Sequence, residues 1–255
     1  MIASDPKPLR GKACLVTGGA RRLGRASALA LAQAGADVAI TFRHSSREAQ
    51  HTVVDLSSLG VRAFALRCDI TDEASVKSMM KDAGRELGRI DLLVNNAAIY
   101  ADVDFERLTL RQWDAMFASN TRGPFLVSRE ALQWMRRKRP GSKHGKTEAK
   151  IIHMGSLGGL RPWPTHAHYC SSKAALHMLT KVMAKALAPE IAVNAVAPGV
   201  IDLGDKPAFM RHMAKQTPMQ RNGRDEDIAA AVLFFATAPQ FITGQILAVD
   251  GGIGL

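Results

Sequence analysis

Hydrophobic residues along this chain form short, nearly continuous runs, separated by longer stretches in which apolar and polar positions recur at helical spacing. Short apolar runs bounded by turn residues are typical of strands buried on both faces, and the longer stretches are typical of amphipathic helices. The pattern predicts seven strands, at residues 12–17, 37–42, 61–67, 90–94, 149–154, 191–196 and 245–249. It predicts helices between them, at residues 26–34, 46–59, 72–87, 109–136, 169–188 and 225–236.

Capping residues mark the ends of several predicted helices. Ser45 with Glu48, and Thr109 with Gln112, have the spacing of a capping box, in which two residues satisfy each other's backbone amides. Gly35 follows the first helix, in a position where glycine commonly ends a helix. These signals indicate separate helices joined by short loops.

Strands that alternate with helices at this spacing predict an α/β fold with a parallel sheet. We predict one domain over residues 1–255, a doubly wound Rossmann-type sheet of seven strands with helices on both faces, because no linker interrupts the alternation. Hydrophobic residues make up 47% of the chain, enough for a large core. No apolar run is long enough to span a membrane and no apolar signal segment begins the chain, so we expect a cytoplasmic protein.

The formal net charge of +11 raises the question of nucleic acid binding. Much of the excess lies in residues 136–150, which contain Arg136, Arg137, Lys138, Arg139, Lys143, Lys146 and Lys150. This stretch has no aromatic residue on which a base could stack, so a solvated insertion is the preferred interpretation, without a nucleic acid partner. The remaining positive charge suits a polyanionic cofactor.

The three cysteines, Cys14, Cys68 and Cys170, have no short C-x-x-C spacing, which argues against both a disulfide framework and a zinc site. We predict three reduced thiols. His166 and His168 have no carboxylate or cysteine at ligand spacing, so no metal site is predicted.

A glycine-rich turn at residues 18–24 joins the first predicted strand to the first helix. Such a turn lets the backbone approach a phosphate closely and directs the N-terminus of the helix at it. The strand, turn and helix together predict dinucleotide binding.

The end of the second predicted strand indicates which dinucleotide binds. An acidic residue there accepts hydrogen bonds from the ribose of NAD, whereas the 2′-phosphate of NADP calls for arginine. Here Phe42 is followed by Arg43 and Ser45, while Arg21 and Arg22 lie in the glycine turn. We predict NADP(H); the alternative is that Arg43 is an exposed loop charge.

Tyr169 and Lys173 lie four residues apart at the start of a predicted helix, so both side chains share one face. A nearby ammonium stabilises a phenolate, and a cation about 4 Å away supplies roughly 4 kcal/mol at an effective dielectric of about 20. The pair therefore suits acid–base catalysis, with Lys173 lowering the pKa of Tyr169. The alternative is a half-buried ring beside a solvated charge.

Six motifs together resemble the short-chain dehydrogenase/reductase family, and the likeness covers nearly the whole chain. They are Thr17-Gly18-x-x-x-Arg22-x-Gly24, Asp69, Asn95-Asn96-Ala97-Ala98, Asn120, the trio Ser156, Tyr169 and Lys173, and Asn194-Ala195-Val196-Ala197-Pro198-Gly199. The resemblance implies that Tyr169 transfers the proton and Ser156 polarises the acceptor. It further implies that Lys173 holds the nicotinamide ribose and that Asn120 positions a water for proton relay.

The resemblance and the arginines together imply a set of cofactor contacts. The expected residues are Thr17, Gly18, Arg21, Arg22, Leu23, Gly24, Arg43, Ser45, Asp69, Ile70, Asn96, Ala97, Ala98, Tyr169, Lys173, Pro198, Gly199 and Ile201.

Three positions depart from the family pattern. Arg22 stands where the turn has its middle glycine, Ala98 where glycine is usual, and Leu203 where a threonine is expected. Arg22 resembles the pteridine reductase branch of the family, and there it would meet the pyrophosphate directly. Leu203 removes a hydroxyl, which leaves the backbone around Ile201 to anchor the carboxamide.

The substrate pocket is expected between Tyr100, residues 158–168 and a loop at 203–218. Trp163 suits stacking on a planar ring, although hydrophobic wall is the more common role. We favour NADPH-dependent reduction of a carbonyl substrate. The alternatives are reduction of pterin C=N bonds and a non-catalytic NADP(H)-binding sensor. By analogy with the family, the helices at 109–136 and 169–188 would form a homotetramer or homodimer.

Overall fold

The computed structural model describes residues 7–137, 148–205 and 207–255. Its strands are β1 Ala13–Val16, β2 Asp37–Phe42, β3 Ala63–Arg67, β4 Leu92–Asn95, β5 Ala149–Met154, β6 Ile191–Pro198 and β7 Ile246–Val249. They form one seven-stranded sheet in the order β3-β2-β1-β4-β5-β6-β7, and every pair is parallel. The predicted fold class is confirmed, and β2 and β5 have the predicted bounds.

Eight α-helices accompany the strands in the described residues. They are α1 Arg22–Gln33, α2 Ser46–Ser58, α3 Glu73–Leu87, α4 Leu110–Phe117, α5 Gly123–Met135, α6 Ala167–Ala186, α7 Pro207–Gln216 and α8 Asp225–Thr237. A π-helical turn at Ala118–Arg122 joins α4 to α5.

Two hydrophobic cores lie on opposite faces of the sheet. Residues from α1 and α8, including Leu31 and Val232, form one core with Val16 of β1. Residues from α3 and α5 form the other core with Leu15, the neighbour of Val16 in the same strand. Because successive strand residues point to opposite faces, a continuous apolar strand requires helices on both sides, as the sequence predicts.

The strand order reverses between β1 and β4, whose pairing continues to Val16 opposite Val94. Beyond this point the segments that follow β1 and β4 diverge and open a crevice at the carboxyl edge of the sheet. Ligands of such folds bind in this crevice. Residues 17–24 and 96–99 follow β1 and β4 directly and therefore lie at this crevice.

Apart from shifted element ends, such as the start of α1 at Arg22 where residue 26 is predicted, the structure differs from the predicted elements in three places. Residues 203–218 are predicted as a loop, but Pro207–Gln216 forms α7, with proline at its first position, where the missing amide costs little. The single helix predicted at 109–136 is divided by the π-helical turn. The Thr109–Gln112 capping box is present, whereas Ser45 makes no side-chain capping bond to α2.

Most of the basic segment, residues 138–147, lies outside the described residues, so its predicted character stays a prediction. Within the described ranges, no helix is long and apolar enough to cross a membrane.

Candidate functional site

The glycine turn is fixed to the end of β4 by side-chain hydrogen bonds. The Thr17 hydroxyl accepts the backbone amides of Asn96 and Ala97, at 2.9 and 3.0 Å. The Asn96 side-chain amide donates in return to the carbonyls of Thr17 and Gly18, at 2.9 and 3.1 Å. Thr17 is buried and Asn96 partly buried, so these bonds define the shape of the crevice.

Close backbone packing explains two of the glycines in this turn. Gly18 has a φ of +63°, and a Cβ there would lie 3.0 Å from Cα of Ala97. A Cβ at Gly24 would collide with the Gly18 carbonyl oxygen. The turn therefore needs glycine at both positions to bring its amides to the mouth of the crevice.

Arg22 adopts a φ of +52°, the left-handed conformation that suits the glycine usual at this position. A non-glycine residue there costs about 1–2 kcal/mol. Its guanidinium extends across the crevice and pairs with Asp205 at 2.9 Å. Arg22 therefore lies in the glycine turn and reaches the segment that follows β6.

A cleft of about 460 Å³ runs along the carboxyl edge from β2 to β4. Twelve of the predicted cofactor residues line it: Gly18, Arg21, Arg22, Leu23, Gly24, Arg43, Ser45, Asp69, Ile70, Asn96, Ala97 and Ala98. Leu203 lines it as well. Eight further residues that were not predicted from the sequence also line the cleft, namely Ala20, Thr41, Phe42, His44, Cys68, Thr71, Ile99 and Ser119. His44 could have been predicted to line the cleft, because it directly follows Arg43 at the end of a predicted strand.

Arg43 lies at the β2 end of this cleft and is exposed. Its Nε pairs with a carboxylate oxygen of Asp69 at 3.0 Å. The other carboxylate oxygen accepts the amide and hydroxyl of Thr71, at 2.9 and 2.7 Å. Burial acts to raise the pKa of Asp69, but the Thr71 hydrogen bonds and the Arg43 charge outweigh it and lower that pKa. This end of the cleft thus combines cations with an ionised carboxylate.

Three predicted cofactor residues, at the end of β6 and just after it, do not line the cleft. Pro198 is the last residue of β6, and the Gly199 amide donates to Val249. Ile201 forms an isolated bridge with Gly223. Of the predicted residues, Thr17 and these three do not line the cleft, nor do Tyr169 and Lys173. Their cofactor contacts stay predictions.

Helix α6 carries Tyr169 and Lys173 on one face, as the four-residue spacing predicts. Lys173 is 3% exposed, and its Nζ donates to the Met154 carbonyl at 2.8 Å. Nζ lies 5.9 Å from the centre of the Tyr169 ring. Burial lowers the pKa of Lys173 to about 8, so the amine is mainly protonated at neutral pH.

Tyr169 is partly buried, and the Ser156 side chain is a hydrogen-bonding neighbour that acts to lower the pKa of its hydroxyl. The prediction of a lowered tyrosine pKa is wrong: burial raises the pKa of Tyr169 to about 12, and the Ser156 bond offsets this only in part. Desolvation penalises the phenolate, and Lys173 directs its ammonium at Met154 instead. Tyr169 is therefore a neutral phenol, able to donate a proton.

Asn120 is fully buried in the π-helical turn, an irregularity that often marks functional sites. Its side chain accepts the Ile99 amide and donates to the Ile99 carbonyl, both at 2.9 Å. It also donates to Ser172 of α6 at 3.2 Å. Asn120 therefore joins the end of the cleft, lined by Ile99, to the helix that carries Tyr169. Its predicted part in proton relay stays a prediction.

An aromatic wall surrounds the Tyr169 ring. Tyr100 meets it edge-on, with ring centres 5.0 Å apart, and Trp163 lies nearly parallel to it at 6.2 Å. The Tyr100 hydroxyl is hydrogen-bonded to His166 Nε2 at 2.6 Å. Tyr100 and the 158–168 segment thus lie beside Tyr169, where the sequence analysis expects the substrate pocket.

The three cysteines are free, with Cys14 and Cys68 buried. Burial raises the pKa of the Cys68 thiol to about 11 and also raises that of Cys170. In the part of the chain that the structure describes, no group of three His, Cys, Asp or Glu side chains is arranged to hold a metal.

Comparison with known proteins identifies the family. A family model described as enoyl-(acyl carrier protein) reductase matches residues 18–254. A 3-oxoacyl-[acyl-carrier-protein] reductase FabG of Staphylococcus aureus is 37% identical over 248 residues, covering 95% of this chain and 98% of that protein. A short-chain dehydrogenase/reductase structure from Serratia marcescens has a TM-score of 0.89 at 35% identity, covering 97% of this chain and 100% of that one.

A second solved structure, a short chain dehydrogenase from Burkholderia cenocepacia in complex with NADP, has a TM-score of 0.87 at 36% identity. It too covers 97% of this chain and 100% of its own. Sequence, fold and the order of the motifs agree over nearly the whole length. The chain is therefore an oxidoreductase of the short-chain dehydrogenase/reductase family.

Proposed function

We propose that this protein is an NADPH-dependent reductase of a carbonyl substrate, with Tyr169 as the proton donor. One observation carries the proposal: on one face of α6, Nζ of the buried Lys173 lies 5.9 Å from the centre of the Tyr169 ring, and the Ser156 side chain interacts with the Tyr169 hydroxyl. Asn120 bonds Ile99, which lines the end of the cleft, and Ser172 of α6, and so connects the cleft to the helix that carries Tyr169.

The residues of the cleft fit a phosphorylated dinucleotide. The turn packs too tightly for side chains at Gly18 and Gly24, which brings its backbone to the ligand. Arg43, Ser45 and Arg21 line the cleft at one end and suit a 2′-phosphate. The NADP bound to the Burkholderia relative supports the same choice.

When bound, NADPH supplies the hydride that attacks the carbonyl carbon, and the electron pair of the C=O bond moves to oxygen. Ser156 polarises that oxygen by hydrogen bond, and Tyr169 transfers its hydroxyl proton to it. The products are an alcohol and NADP⁺, and solvent returns a proton to the phenolate. Lys173 holds the nicotinamide ribose. The raised pKa of Tyr169 suits this direction, because the donor is protonated before the hydride arrives.

The relatives support a ketone as the acceptor, since the Staphylococcus protein is named a 3-oxoacyl-[acyl-carrier-protein] reductase. A pterin C=N bond is the second candidate. Arg22 in the turn favours it, as does the Trp163 ring, which lies within 12° of parallel to Tyr169 and offers a platform for a planar ring.

A substrate panel tests the proposal. NADPH oxidation would be measured with 3-oxoacyl thioesters, simple ketones, aldehydes and dihydropteridines, with Tyr169→Phe as the matched inactive control. Turnover of ketones that disappears in the variant is expected. Preference for dihydropteridine would favour the second candidate. Stoichiometric NADPH binding without turnover of any acceptor would contradict the proposed reductase activity and would indicate a nucleotide-binding sensor.

A further inference from the structure

One face of α6 contacts the chain segment 154–159 at three successive turns of the helix. The Tyr169 hydroxyl interacts with the Ser156 side chain, Lys173 donates to the Met154 carbonyl, and His177 accepts the Ser156 backbone N–H. The four-residue spacing aligns these side chains in one row. The first two belong to the proposed proton transfer, and His177 has no assigned part in it.

His177 is 5% exposed, and its Nε2 accepts the Ser156 backbone N–H at 3.4 Å. Accepting that bond requires a neutral ring with Nε2 unprotonated. Burial, reinforced by the charge of Lys173, lowers the pKa of His177 to about 4. The imidazole is therefore a neutral acceptor at physiological pH.

The backbone on each side of Ser156 packs closely against the imidazole ring of His177. A Cβ at Gly155 would collide with Nε2 of His177, and a Cβ at Gly159 would lie 2.7 Å from its Cε1. The Gly155 amide donates to the Val196 carbonyl at 2.7 Å, which holds the segment against β6 from the other side. The backbone on each side of Ser156 is thus packed between the sheet and this ring.

We propose that His177 is a positioning residue, which fixes the Ser156 peptide so that the Ser156 hydroxyl stays within reach of Tyr169. The inference rests on the proposed roles of Ser156 and Tyr169. Loss of the acceptor leaves a buried N–H unpaired and frees the peptide to rotate, which moves the hydroxyl while the cofactor cleft stays intact.

Two polar substitutions of His177 distinguish this positioning role from a role in which the side chain only fills space. In His177→Gln the side-chain amide reaches the position of Nε2, whereas in His177→Asn it reaches only that of Nδ1. We expect the asparagine variant to lose about 10-fold or more in kcat with the KM for NADPH unchanged, and the glutamine variant to stay within about threefold of the parent. Comparable melting temperatures would show that both variants fold.

A double-mutant cycle with Ser156→Ala completes the test. If His177 acts through the serine hydroxyl, His177→Asn lowers kcat little once that hydroxyl is absent. Equal kcat losses in both histidine variants, no loss in either, or an undiminished loss on the Ser156→Ala background would overturn the inference. Retained activity in Tyr169→Phe would instead refute the proposed function itself, so the two failures are distinguishable.

Discussion

The proposed catalytic face of α6, which carries Tyr169 and Lys173, and the arginine cluster of the cleft, formed by Arg22 and Arg43, hold their charged groups in opposite ways. Lys173 and Asn120 are buried, and their polar atoms find partners inside the protein. Arg22 and Arg43 have more than half of their side chains exposed, at 53% and 56%, and pair with carboxylates at the protein surface.

This difference predicts different behaviour of the two regions. Exposed ion pairs are worth only about 0–1 kcal/mol, so Arg22 and Arg43 can exchange Asp205 and Asp69 for phosphate oxygens at little cost. The buried groups have no such freedom, because an unpaired buried polar atom is expensive. We infer that the catalytic face sets the reaction rate and the arginine cluster sets cofactor affinity.

Apart from Tyr169→Phe, which removes the phenol hydroxyl, Ser156→Ala should lower kcat the most. Removing one donor to a developing oxyanion typically lowers kcat by ~10²–10³-fold. Because Ser156 does not line the cofactor cleft, the dissociation constant of NADPH should be unchanged. Steady-state kinetics and NADPH fluorescence titration would measure the two quantities. A weaker NADPH complex with unchanged kcat would contradict the division between the regions.

Arg43→Ala should have a smaller effect, confined to the cofactor. Loss of charge-assisted hydrogen bonds to a 2′-phosphate should raise the KM for NADPH by ~10–100-fold and leave that for NADH nearly unchanged. Arg47→Ala is the matched control, since it removes the same exposed charge from a residue outside the cleft lining. If the KM for NADPH relative to NADH is unaltered in Arg43→Ala, the assignment to NADP(H) is wrong.

The smallest expected effect is on ultraviolet absorption, which reports the charge state of Tyr169. The chain has two tyrosines, Tyr100 and Tyr169, and the pKa of each is raised, chiefly by burial. In a Tyr100→Phe variant, ultraviolet titration reports Tyr169 alone. We expect no tyrosinate signal up to the ordinary tyrosine pKa of about 10. Ionisation well below that pH would restore the idea that Lys173 lowers the pKa in the free protein.

The sequence predicted the fold because each element carries its own local signal. The strands are apolar on both faces, and Thr109 with Gln112 forms the expected capping box. Helix α7 was missed although Phe209, Met210 and Met213 recur at helical spacing, a pattern that indicates a helix. In the structure none of the residues Pro207–Gln216 is buried, so the apolar side of this helix faces no core.

The site was predictable by residue type but not in its electrostatics. Spacing placed Tyr169 and Lys173 on one face of a helix, yet the pKa of the tyrosine depends on burial, which residues distant in sequence create. His177 was missed for the same reason, since its contacts with Ser156 and the flanking glycines arise only when α6 packs against β6 and the segment 155–159. Sequence motifs indicate which side chains react, whereas packing sets their pKa values and therefore their charge.

The most direct test of the central claim is rapid mixing of the Tyr169→Phe variant with NADPH and a ketone that the parent enzyme reduces. The account predicts that NADPH binds with the parent affinity while single-turnover hydride transfer slows by about 10³–10⁴-fold, because the acceptor oxygen has lost its proton donor. Hydride transfer at the parental rate in this variant would contradict the claim that Tyr169 is the proton donor.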